Sequence, residues 1–125
     1  MSDDVVSPQP TPALADDERL CLLWATAPSL IAAESLATQL LEARVAACVN
    51  IFPSMRSCYE WQGSICRNEE VGMLIKVPRC RAEACAEALR QHHPYDVPCI
   101  LRLAVDGAHP PFATWLHEQT VDSQG

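Results

Sequence analysis

VAACVNIFPSMRSCYEWQGSICRNEEVGMLIKV, residues 45–77, alternates its side chains on both sides of a single glycine turn. The first arm sets Ala47, Val49 and Ile51 on one face and Ala46, Cys48, Asn50 and Phe52 on the other. Pro53-Ser54 interrupts, and alternation resumes through Met55, Ser57, Tyr59 and Trp61. After Gln62-Gly63-Ser64 the return arm carries Val71, Met73, Ile75 and Val77 on one face, with Gly72, Leu74 and Lys76 on the other. A period of two flanking a glycine turn predicts a β-hairpin with very long arms. From residue 46 to 61 such an arm reaches on the order of 50 Å, at about 3.3 Å per residue. A globule of the 107 residues from Arg19 onward has a radius of gyration near only ~13 Å. The tip must therefore project, or bend at Pro53. Tyr59 and Trp61 at that tip are better buried against another subunit than left in water, so the hairpin predicts an oligomer.

Working outward, RLCLLWAT at 19–26 is an almost continuous apolar run that suits a buried central strand, bounded by Pro28. Ser29 is placed to cap a helix whose Ala33, Leu36, Ala37, Leu40 and Leu41 form one stripe to about residue 44. Beyond the hairpin, Pro78 ends the strand and a second helix runs from about 80 to 92 with Ala82, Cys85, Ala88 and Leu89 on one side. Pro94 forces its end, because the residue before a proline avoids the helical region. Val97 to Val105 reads as a further strand, and Pro110-Pro111 opens a short last helix marked by Phe112, Trp115 and Leu116. Two strand-helix-strand crossovers joined by a hairpin make a four-stranded antiparallel sheet with helices on one face. This is an α+β, ferredoxin-like βαββαβ sandwich with an extra C-terminal helix.

Composition bounds the function. The chain has 125 residues, 49% hydrophobic and 20% charged, which suits one soluble domain. Its net charge of -7 is concentrated at the start of the chain: Asp3, Asp4, Asp16, Asp17 and Glu18 precede every basic residue, leaving 11 acids against all 9 bases from Arg19 onward. A nearly neutral body without a basic stripe lacks the usual driving force for nucleic acid, and an acidic tail repels anionic lipid. Residues 1–17, with Pro8, Pro10 and Pro12, read as a disordered leader; 18–121 form the single domain and 122–125 a tail. The leader has no positive region followed by an apolar core, and no apolar run approaches the roughly 20 residues of a membrane helix. A cytoplasmic location is expected. The seven cysteines, 21, 48, 58, 66, 80, 85 and 99, show no C-x-x-C spacing and are expected mostly as small buried hydrophobes.

Five blocks in order, ARVAACVNIFP at 43–53, SCYEWQGSI at 57–65, EVGMLIKV at 70–77, HPYDVP at 93–98 and F-x-x-W at 112–115, resemble the CutA family of divalent-cation tolerance proteins. The resemblance implies a ferredoxin-like trimer whose hairpins wrap neighbouring subunits, and a link to copper or another divalent metal. Cys48, His92 and His93 match the family. Ala25 stands where some members have a cysteine before T-A-P, Cys99 where many have glutamate, and Phe112 where a tyrosine is usual.

The residues themselves nominate two kinds of site. Thiolate with imidazole suits cuprous copper and zinc, which makes His92, His93 and Cys48 candidate metal ligands, the remainder of a tight site coming from a neighbouring subunit. The prolines of QHHPYDVPCI, residues 91–100, with Tyr95 filling the joint, read equally as a stiff connection. Lys76, the only lysine, sits mid-strand in an apolar run: either an acid pairs with it at a subunit contact, or it marks an anion pocket. By fold analogy the second reading makes the chain a PII-like sensor of a small molecule bound between subunits, with Lys76, Tyr59, Trp61 and Tyr95 at the interface or pocket. No glycine-rich phosphate loop, H-E-x-x-H, G-x-S-x-G or paired carboxylates are present, and no enzyme is expected.

Overall fold

The computed structural model describes residues 14–121. The elements are β1 (Leu20–Ala27), α1 (Leu30–Glu42), β2 (Cys48–Trp61), β3 (Ser64–Pro78), a 3-10 turn (Arg79–Arg81), α2 (Ala82–His92), β4 (Ile100–Ala104) and α3 (Pro110–Gln119). They form one antiparallel sheet in the order β2-β3-β1-β4, the βαββαβ arrangement expected with one helix appended. Ser29 caps α1 by accepting from the Ala32 amide at 3.1 Å. The helix ends with Arg44 in the left-handed region at φ 58°, while the Val45 amide reaches back to the Leu40 carbonyl.

Strand alternation sorts the sheet into two faces. Cys21, Leu23 and Ala25 of β1, with Met73, Ile75 and Val77 of β3, face inward against Leu36 and Leu40 of α1 and Cys85 and Leu89 of α2. The outer face carries Leu22, Trp24, Phe52, Leu74 and Lys76, because residues directly opposed in an antiparallel pair share a face. Only its lower end is covered, where Ala113 and Leu116 of α3 pack on Leu20 and Ala47. The rest is open apolar surface: Phe52 is 46% and Leu101 54% exposed.

The hairpin is as long as the sequence implies, with 14 and 15 residues in its arms. β1 pairs with β3 no farther than Ala27↔Val71, so Met55–Trp61 and Ser64–Glu70 pair only with each other and project as a two-stranded ribbon. Between Phe52↔Gly72 and Met55↔Glu70 the register gains one residue, a bulge at Pro53-Ser54 with Ser54 at φ 63°. Gln62 and Gly63 both have positive φ, 51° and 83°, the two-residue hairpin turn that matches strand twist.

Four boundaries differ from expectation. β2 starts at Cys48 rather than Val45. β4 starts at Ile100 rather than Val97, since Pro98 lacks the amide a ladder needs. The turn at Arg79–Arg81 precedes α2, which begins at Ala82. The leader's last four residues belong to the folded body: Ala15 forms a bridge with Ala108, and the Asp17 side chain, buried, accepts from the Arg19 amide and guanidinium. Residues 1–13 and 122–125 lie outside the described ones. The expectation of buried cysteines holds for Cys21 and Cys85 only; Cys58, Cys80 and Cys99 are exposed, Cys48 and Cys66 half-buried, and all seven are free thiols.

Candidate functional site: the Lys76 cleft and the histidine joint

Lys76 stands on the outer face of β3, opposite Cys48 on one side and Leu22 on the other. Its ammonium lies over the Phe112 ring, 5.5 Å from the centroid, a cation–π contact that α3 supplies. Among the described residues no acid pairs with it. The same ammonium borders a cleft of about 350 Å³ whose walls include Leu14, Leu22, Val105, Phe112 and Leu116, with His109 also in the lining. Among the described residues no carboxylate lines it. An apolar cavity of this size holding one unneutralised cation has the make-up of a small-molecule site. A larger groove, about 440 Å³, lies between Arg19, Arg79, Cys80 and His117, but the Arg19 guanidinium there is already held by Asp17.

The two histidines separate. His92 is exposed as the last residue of α2, whereas His93 is 8% exposed and extended, at φ −74° and ψ 140°, as a residue before proline must be. The Tyr95 amide donates to His93 Nδ1 at 3.1 Å, so Nε2 carries the proton and donates to the Thr26 carbonyl at 2.7 Å. Both ring nitrogens are used inside the chain. Tyr95 stacks at a tilt on His93, 5.0 Å between centroids, and its hydroxyl donates to Glu70 at 3.3 Å. Burial and then the Glu70 carboxylate push the Tyr95 phenol up, so it stays a neutral donor.

Cys48 is distant from this joint. It pairs with Lys76, while Thr26, which holds His93, pairs with Gly72. Four residues of β3 separate those positions, roughly 13 Å at about 3.3 Å each. Among the described residues no three His, Cys, Asp or Glu side chains group to hold a metal ion. Tyr59 and Trp61 stand apart again, on the projecting ribbon, where Asn68 donates to the Tyr59 hydroxyl. Sequence reasoning missed Leu14 and His109 as cleft residues. Nothing in their spacing marks them, because the chain brings them together only through the Ala15–Ala108 bridge and the start of α3.

The sequence pattern described as CutA1 divalent ion tolerance protein matches residues 21–119. The chain belongs to the CutA1 family. It is 42% identical over 104 residues to the divalent-cation tolerance protein CutA of Pectobacterium atrosepticum, covering 81% of this chain and 94% of that one. It is 38% identical over 97 residues to mouse protein CutA, 78% of this chain but 55% of the longer relative. Among CutA structures, that from Synechococcus elongatus superposes with a TM-score of 0.84 at 34% identity over 87% of this chain and 96% of the other. The structure of the periplasmic divalent cation tolerance protein CutA from Archaeoglobus fulgidus gives 0.78 at 33% over 82% and 99%. The CutA1 frame thus includes both the Lys76 strand and the histidine joint.

Proposed function

We propose that this CutA1-family chain acts in divalent-cation tolerance as a homotrimer that binds metal weakly, copper foremost. The observation that carries the metal part is the contrast between adjacent histidines: His93 is consumed by Thr26 and Tyr95, whereas the His92 imidazole faces solvent at a helix end. One imidazole per protomer makes a loose site, and further ligands come from neighbouring subunits. The open apolar sheet face and the exposed ribbon support the assembly that this needs. Seven free thiols suit a reducing compartment, which supports a cytoplasmic location. The role is one of binding, without turnover.

The test is calorimetric titration of the full chain with cuprous, cupric and zinc ions. Weak binding that disappears in His92→Ala with the oligomer intact is expected. Unchanged binding in that variant overturns the metal assignment. Loss of cuprous but not zinc binding in Cys48→Ser brings the thiol in from another protomer.

A second reading has its own observation. The Lys76 cleft is preformed and apolar, and among the described residues it lacks a counter-ion, which supports a sensor that binds a small organic anion.

A further inference from the structure

The segment Leu14–Asp17 lies ahead of the family-matched residues 21–119, yet it docks on the loop that borders the Lys76 cleft. The Ala15 amide donates to the Ala108 carbonyl at 3.0 Å, the Ala108 amide returns a bond to the Ala15 carbonyl at 2.9 Å, and the Asp17 amide donates to the Asp106 carbonyl at 3.4 Å. Gly107 lies against the segment: a Cβ there would stand at ordinary contact distance, 3.4 Å from the Ala15 carbonyl oxygen and 3.5 Å from Leu14 Cβ. The strap is pinned at Asp17, whose carboxylate is gripped by Arg19 through Nε and Nη2, both at 3.0 Å. At the other end Leu14 forms part of the cleft wall while 65% of its surface remains exposed.

We propose that this strap is a closing wall of the Lys76 cleft, and that the cleft takes a small organic anion whose charge meets the Lys76 ammonium and whose apolar body lies against Leu14. The proposal rests on the second reading above and adds both the ligand class and the device that encloses it. The charge assignment follows from the lining: Lys76 is the chain's only lysine, it borders apolar walls, and no carboxylate lines the cleft among the described residues. A cation so placed is stabilised by whatever anion enters. The apolar body follows from Leu22, Val105, Phe112 and Leu116, and the size from the cleft of about 350 Å³, at the small end of ligand cavities. Leu14 is too exposed to be a plug; a bound apolar group would cover it, which makes it a wall that the ligand completes. Few bonds hold the strap, so it opens locally at far less cost than the sheet behind it.

A matched pair of probes tests this on the full chain: 4-phenylbutyrate and the neutral 4-phenylbutan-1-ol, titrated calorimetrically at low ionic strength. The carboxylate should bind more tightly than the alcohol, and Lys76→Met should erase that difference while Lys76→Arg keeps it. Leu14→Ser removes the wall, and Ala15→Pro removes the amide that bonds Ala108. Each should weaken both probes about three- to tenfold, as expected for losing part of a leucine's apolar cover, with the charge preference unchanged. Leu14→Met should bind as the parent does. Parent-like affinities in both Leu14→Ser and Ala15→Pro would overturn the strap while leaving the cleft as a ligand site. No binding of either probe to the parent, or a charge preference that survives Lys76→Met, would overturn the anion reading and the strap's role with it.

Discussion

His93 and Cys85 behave according to their surroundings rather than their residue type. His93 donates to the Thr26 carbonyl and accepts from the Tyr95 amide, tying the end of α2 to the end of β1. Replacing it with alanine removes the partner of two part-buried backbone groups, so His93→Ala should cost roughly 1–2 kcal/mol. Urea denaturation measures that loss, and metal titration of the same variant should match the parent. Cys85 is fully buried between α2 and β1, and burial pushes its thiol up to about 12. The folded state therefore holds this proton more tightly than the unfolded chain, whose thiol titrates near about 8.5. Its contribution to stability is complete below that value and is lost as pH rises from there toward 12. Alkylation at pH 8 read by mass spectrometry should label Cys58, Cys80 and Cys99 and spare Cys85; labelling of Cys85 at their rate would contradict the burial. Which histidine of the adjacent pair turns inward was not legible from the sequence, because it depends on where Pro94 stops α2 relative to Thr26. The lysine was legible, since a lone cation in an apolar strand needs a reason, but the Phe112 ring beneath it was not.

At the scale of elements the alternating arms of 45–77 carried most of the fold, because a period of two survives tertiary context when one face is buried. The hairpin, the helices and the Ser29 cap of α1 followed from local chemistry. The strap did not, since its alanine and leucine have no periodic partner and gain one only from the Gly107 loop. Nor did the role of Gly72, which reads as an ordinary weak point in a strand. A Cβ at that position would sit 2.5 Å from Trp24 Cη2 and 3.2 Å from Met55 Sδ, so the missing side chain is the space the indole occupies. Trp24 also leans on Phe52, 6.0 Å between centroids, beside the bulge that redirects the ribbon. Gly72→Val should therefore destabilise by about 1–3 kcal/mol through overpacking, and the loss should shrink when Trp24→Leu is added. Equal losses in the single and double variants would separate the glycine from the indole.

For the whole molecule the question is what covers the surface that one protomer leaves open. The ribbon beyond Ala27↔Val71 pairs with nothing but itself, and an isolated two-stranded hairpin is marginal in water. It nevertheless carries Trp61 at 62% and Ile65 at 60% exposure, and the outer sheet face adds Phe52, Leu101 and Leu103. Both β2 and β4 are edge strands, so each protomer also offers unpaired backbone donors and acceptors. In the proposed trimer the ribbon of one copy lies along the open apolar face of the next, which covers both. Light scattering should return about three times the 13.7 kDa chain mass at micromolar concentration. Trp61→Asp places a charge where the proposed contact would bury an indole and should raise the concentration at which the assembly dissociates by at least tenfold, as for a hot-spot aromatic. Tyr59→Phe keeps the apolar body and should assemble like the parent. A parent chain that stays monomeric with the ribbon intact would remove the reason for its length, and the metal reading, which needs ligands from more than one copy, would fall with it.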